Sequence, residues 1–199
     1  MTTQKKTTFK AVDITKAAMF IALMAIGANA TAFITVGTVP MTFQTVIAIL
    51  AGAILGSRLG TFSMIGYTIL GLVGAPIFAQ FSGGPQVFVS PTFGFILSFI
   101  LLAFVTGKIV ERSNRSLLSY ITACMSGLAV NYLFGVTYLY FHMVFVLGLP
   151  DISYVATFAS MGPFLVKDLV LTGFAASICP QVANAINRRT PLQPEKVAS

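Results

Sequence analysis

The sequence predicts an all-α integral membrane protein of six transmembrane helices with both termini on the cytoplasmic side. Three observations lead there. Long apolar runs recur between polar or Gly/Pro breaks, they lack the strict apolar/polar alternation of barrel strands, and the basic residues gather on one side of them. A hydrocarbon core of about 30 Å takes roughly 20 apolar residues of helix, and about 17 suffice. Within lipid only helices or a closed barrel satisfy every backbone group, so runs without alternation are helices.

The runs fall near residues 16–34, 41–57, 60–80, 91–111, 117–141 and 160–187. The first follows a basic start, MTTQKKTTFK, but no small-residue cleavage site comes after it, so it is expected to be a retained helix and not a signal peptide. Along it Ala18 and Ala22 lie four apart and Ala25 three further on. That spacing makes a smooth stripe where a second helix can approach, either from a partner protein or from within the bundle. Spans two and three are separated only at Ser57, Arg58 and Gly60. The connections leave no room for a soluble domain. The expected division is a cytoplasmic segment at 1–15, one membrane domain at 16–188 and a flexible tail at 189–199 that contains Pro191 and Pro194.

Six spans return the chain to its starting side and sort the loops into two sets. Lys5, Lys6, Lys10, Lys16, Arg58, Lys108, Arg112, Arg115, Arg188, Arg189 and Lys196 lie on the side of the termini, and Lys167 lies on the other. Lys and Arg beside spans are retained in the cytoplasm, which sets the orientation. The formal charge of +7 therefore reports topology and attraction to anionic lipid. It does not indicate nucleic-acid binding, because the positive charges sit in short juxtamembrane loops and not on one soluble face.

The loops opposite the termini are unlike plain connectors. The first, Thr35 to Thr42, runs into Phe43, Gln44 and Thr45. The second, Gly74 to Pro91, carries three glycines and three prolines together with Gln80 and Gln86, and Phe78, Phe81, Phe88 and Phe93 are interleaved with or follow them. Amides and aromatics without charge suit a small ligand with an apolar body and a polar head. Loops that dip into the interface on phenylalanine anchors are the other reading.

Polar residues within spans must face a cavity or a partner, since lipid exposure costs several kcal/mol. Asn131, Lys167 and Asp168 are the candidates. Lys167 and Asp168 are adjacent near the start of the sixth span. They diverge by about 100° around a helix, so they need not bond each other, and each could serve a different group of a ligand. Interfacial snorkelling by Lys167, with Asp168 complementing the dipole of a first helical turn, is the alternative.

Several chemistries are excluded. Gly107-Lys108 lacks the earlier glycine of a phosphate-binding loop. His142 is the sole histidine and stands 16 residues from Ser126. In one helix that is roughly 24 Å, too far for a serine–histidine dyad. His142 is expected near the end of its span, facing water or a polar neighbour. Cys124 and Cys179 have the wrong spacing for a metal knuckle or a redox pair and read as packing residues. No catalytic residue, metal site or cofactor is expected.

Four segments in order resemble the BioY family, the biotin-specific substrate-capture (S) subunits of energy-coupling-factor (ECF) transporters. They are Val39-Pro40-Met41-Thr42-Phe43-Gln44-Thr45, Gly71-Leu72-Val73-Gly74-Ala75-Pro76-Ile77-Phe78, Pro91-Thr92 with Gly94, and Pro163-Phe164-Leu165 with Asp168. The likeness runs from about residue 15 to 188. It departs from the family's Gly-Pro-Thr-Gly-Gly-Tyr-like string at Ser90-Pro91-Thr92-Phe93-Gly94-Phe95. It departs again where the family commonly places a lysine three residues after the aspartate, because Leu171 stands there and Lys167 precedes it.

The resemblance implies an ECF S component of six helices in the cell membrane of a prokaryote. Such a subunit captures biotin outside and delivers it inward with a transmembrane coupling (T) subunit and two ATPase subunits, so ATP hydrolysis belongs to the partners. It places the docking surface for the T subunit on Ala18 and Ala22. Biotin's ureido group would seek Asp168 with Asn131 or Gln44. Its carboxylate would seek Lys167 or the amides of Gln80 and Gln86, and Tyr67 and Phe93 would wall its rings. The alternatives are another vitamin on the same scaffold, a self-sufficient secondary carrier, and a membrane scaffold protein. The carrier is disfavoured because no matched pair of interrupted helices is seen.

Overall fold

The computed structural model describes residues 10–37 and 39–188. The segment before Lys10 and the tail from residue 189, for which a cytoplasmic position and flexibility are expected, lie outside them. Among the described residues five helical stretches are long and apolar enough to cross a membrane. They are α1 (Ala11–Asn29), α2 (Gln44–Leu72), α3 (Phe93–Arg112), α4 (Leu117–Phe145) and, after the short α5 (Tyr154–Ser160), α6 (Gly162–Arg188).

The first helix begins about one turn earlier than the apolar run. The Lys10 amide donates to the Asp13 carboxylate at 3.0 Å, closing the first turn. The helix ends at Asn29 because the chain there turns into a two-stranded ribbon, β1 (Thr35–Val36) paired antiparallel with β2 (Val39–Pro40), in register Thr35 to Pro40 and Val36 to Val39. This loop returns to the bundle through the Phe43 amide, which donates to the Gly27 carbonyl at 2.8 Å.

The second stretch is a helical hairpin. Gly56 has φ 84° and ψ 173°, a conformation open essentially to glycine alone. The chain reverses there, so residues 44–55 and 57–72 run antiparallel. The Gln44 amide therefore donates to the Tyr67 hydroxyl at 2.8 Å, although 23 positions of straight helix span about 34 Å. A methyl group at Gly60 would lie 2.8 Å from the Ala51 carbonyl oxygen. The break expected at Ser57 to Gly60 thus falls at Gly56, and the second arm stops at Leu72 and not at residue 80. Glu111 of α3 caps that arm, accepting the Ser57 amide at 2.6 Å and the Ser57 hydroxyl at 2.8 Å.

The hairpin packs on α3, α3 on α4, and α4 and α2 on α6, while α1 lies against α2. One core of Met24, Ile49, Met64, Tyr67, Phe99, Leu102, Val136 and Leu139 fills the interior. The exposed residues are largely apolar, among them Phe62, Phe134, Val170 and Phe174, as expected of helices that face lipid. Ala18 and Ala22 lie on the exposed face of α1 and not in the internal packing.

Candidate functional site

At the end of the bundle opposite the Gly56 turn, two loops converge with α3, α4 and α6 around a cavity of about 300 Å³. That volume is at the small end of the range for ligand pockets. The first loop contributes Val39, Pro40 and Thr42, and the start of α2 adds Gln44 and Thr45. The second, residues 73–92, contributes Phe78, Gln80, Gln86, Val87 and Thr92 among others. Apolar walls come from Phe95, Ile96 and Phe99 of α3 and from Phe164 of α6.

The second loop is folded by side chains that reach into it from the helices. Tyr67 donates to the Ile77 carbonyl at 2.9 Å, His142 Nε2 meets the Val89 carbonyl at 2.9 Å, and Tyr138 donates to the Phe88 carbonyl. From α1, Asn29 Oδ1 accepts the Phe81 amide at 2.7 Å. Two turns of 3₁₀ helix, Ala79–Phe81 and Pro85–Val89, carry Gln80 and Gln86. Gln80 sits in the left-handed region at φ 59° and sends its amide to the Ala32 carbonyl of the first loop at 3.4 Å. A non-glycine residue held there by its surroundings is typical of sites where shape matters more than local comfort.

The charged part of the cavity is a three-residue network. Asp168 is 5% exposed. Its Oδ2 accepts the Tyr132 hydroxyl at 2.9 Å and its Oδ1 lies 2.7 Å from Lys167 Nζ. A buried carboxylate is tolerated only with such partners. Lys167 also donates to the Thr42 carbonyl of the first loop. The two adjacent residues, which a helix does not oblige to bond each other, pair directly. Lys167 is turned into the cavity, and Asp168 lies beyond the first turn of α6.

Of the eight residues expected at the site, Gln44, Gln80, Gln86, Lys167 and Asp168 line the cavity. Asn131, Tyr67 and Phe93 do not. Asn131 is fully buried between helices, accepting the Ser98 hydroxyl at 2.7 Å, because it faces α3 where its neighbour Tyr132 faces the cavity. Tyr67 lies behind Gln44 and orients its amide, with Phe78 edge-on at 5.3 Å. Phe93 is wedged between Phe88 at 4.8 Å and Tyr138 at 5.9 Å, supporting the second loop from outside the cavity.

Sequence reasoning missed Tyr132, Thr45, Phe95, Phe99 and Phe164. Spacing held part of the signal, since Phe95 with Phe99, and Phe164 with Lys167 and Asp168, recur at three or four and share a helix face. Tyr132 gave no such sign, as its role depends on α6 packing across α4. Cys124 and Cys179, distant in sequence, meet between those same helices and are buried. Among the described residues no three His, Cys, Asp or Glu side chains gather as a metal site.

The family model described as the BioY family matches residues 1–188. The chain belongs to the BioY family. A probable biotin transporter BioY of Pyrococcus horikoshii is 36% identical over 177 residues, 87% of this chain and 97% of that one. The biotin transporter BioY of Thermotoga maritima is 39% identical over 131 residues, 66% of this chain and 76% of its own. Among solved structures, the S-component for biotin from an ECF-type ABC transporter superposes with a TM-score of 0.68, covering 92% of this chain and 95% of that one at 23% identity. That likeness establishes the S-component fold. This BioY family member is a multi-pass helical membrane protein whose curated relatives are named biotin transporters.

Proposed function

We propose that this protein is the biotin-capturing S component of an ECF-type uptake transporter. The observation that carries the reading is the cavity, whose lining combines a tyrosine–aspartate–lysine network with Gln44, Gln80, Gln86 and phenylalanines. Biotin has complementary chemistry: ureido N–H donors for a carboxylate, a carboxylate for an ammonium or amides, and a fused apolar body for aromatic walls. The names of the relatives point to the same ligand.

In this reading the two arms of α2, each completed by the loop at its outer end, count as two of six spans, with both termini in the cytoplasm of a prokaryotic cell and the cavity facing outside. Basic residues at the end of the bundle holding the Gly56 turn support that orientation. A T subunit docks on the stripe containing Ala18 and Ala22, whose exposure supports the assignment. Two ATPase subunits hydrolyse ATP for inward delivery.

Titration of the purified protein with biotin, using lipoate and thiamine as controls, tests the ligand. Saturable one-to-one binding selective for biotin is expected. Absence of binding by a folded sample, or preference for a control, would overturn the assignment of biotin. Biotin uptake by liposomes containing this chain without ATPases would instead identify a self-sufficient carrier.

A further inference from the structure

We infer that Lys167 is a positioning residue that latches the first loop over the cavity and sets the rate at which ligand enters and leaves. The inference rests on the reading of the cavity as a biotin site, and it adds a role distinct from contact with the ligand. Lys167 Nζ joins three parts of the molecule. It donates to the Thr42 carbonyl, 125 positions away in the first loop, it pairs with Asp168 at 2.7 Å, and it lines the cavity. An ammonium has three donors, so these two acceptors leave one for a ligand.

Thr42 stands at the foot of the β1–β2 ribbon, whose Val39 and Pro40 line the same cavity. On its α1 side the loop is held by the Phe43 amide on Gly27 and by the Thr31 hydroxyl on the Met41 carbonyl at 2.7 Å. Lys167 supplies the hydrogen bond that ties it to α6. A main-chain carbonyl is a weaker partner for an ammonium than a carboxylate is. The bond to Thr42 is thus the weaker of the two that hold Lys167, the one that yields when the loop opens, while the third donor stays available to a ligand carboxylate.

Hydrogen exchange of the first loop in the ligand-free protein provides the test. The Met41 and Phe43 amides, bonded to Ile34 and Gly27 at 2.8 Å each, report opening of the loop. Lys167→Met is expected to speed their exchange about tenfold or more, the scale set by loss of a charge-assisted hydrogen bond. Lys167→Arg is expected to restore most of the protection. Because Lys167→Met leaves Asp168 buried without its cation, the double variant Lys167→Met/Asp168→Asn, which removes both charges, is measured in parallel and should exchange equally fast.

The second readout is dissociation of biotin and of neutral biotinamide from wild type and Lys167→Met, with both expected to leave faster from the variant. Unchanged exchange in the double variant would overturn the latch. So would faster loss of biotin alone, since that pattern belongs to a plain ion pair with the ligand carboxylate. Failure of the wild-type protein to bind biotin would remove the ligand assignment, while the exchange data on the ligand-free protein would still decide the latch.

Discussion

The two ends of the bundle are held together by different physics. At the Gly56 end, backbone meets backbone. A methyl group at Gly52 would lie 2.5 Å from the Ala103 carbonyl, and one at Gly107 would collide with the Ser57 amide. Glu111 then fastens the turn through both of its oxygens. At the cavity end, single backbone bonds from Phe43 to Gly27 and from Gly84 to Gly71 tie the loops to helices, and Tyr67, Tyr138, His142 and Lys167 reach from helices to single carbonyls of the two loops. Close-packed interfaces have no graded intermediate positions, whereas a loop hung on separate hydrogen bonds can release them one at a time. One end is thus built to stay and the other to exchange partners.

Four substitutions would break or sharpen that contrast. Gly56→Val forces a branched side chain into a glycine-only conformation and should cost about 3 kcal/mol or more of stability, because backbone strain and overpacking act together. Thermal unfolding in detergent checks it, and the folded fraction should still bind biotin normally. At Gly107, alanine should cost about 1 to 3 kcal/mol by pushing α3 away from the hairpin, again with ligand affinity preserved.

The cavity end should respond in the opposite sense. Asp168→Asn removes the charge that Tyr132 and Lys167 share and should weaken biotin binding by about 1 to 3 kcal/mol, measured by calorimetry. Unchanged affinity would take Asp168 out of the site. The smallest effect is expected from Tyr138→Phe, which deletes the bond to Phe88 and should cost about 1 kcal/mol. Its signature is faster hydrogen exchange across residues 85–92, with little change in the melting temperature. A large drop in that temperature would show that the second loop also carries the stability of the bundle.

Much of the helix framework was legible in order and placement. The expected spans at 91–111 and 160–187 lie within a few residues of α3 and α6. The site was legible by residue type and less so by direction. Gln44, Gln80 and Gln86 were read as amides of ligand-suited loops, Lys167 and Asp168 as charged groups that lipid would not accept, and all five line the cavity. Asn131 was read by the same rule, yet it lies inside the helix packing, where Ser98 meets its carbonyl oxygen and its amide nitrogen has no partner. Burial cost says that a polar group needs a partner, not which partner it finds.

Composition and the length of apolar runs determined the membrane class, because solvation by lipid acts on every residue and needs no knowledge of neighbours. The order of four short segments was enough to place the chain in its family. The tertiary structure alone decided that the second helix reverses at Gly56, that Tyr132 and not Asn131 meets Asp168, and that Lys167 closes on Thr42. Each of these depends on contacts between residues 9 to 125 positions apart. Such contacts follow from how whole helices pack, and local sequence does not encode which faces will meet.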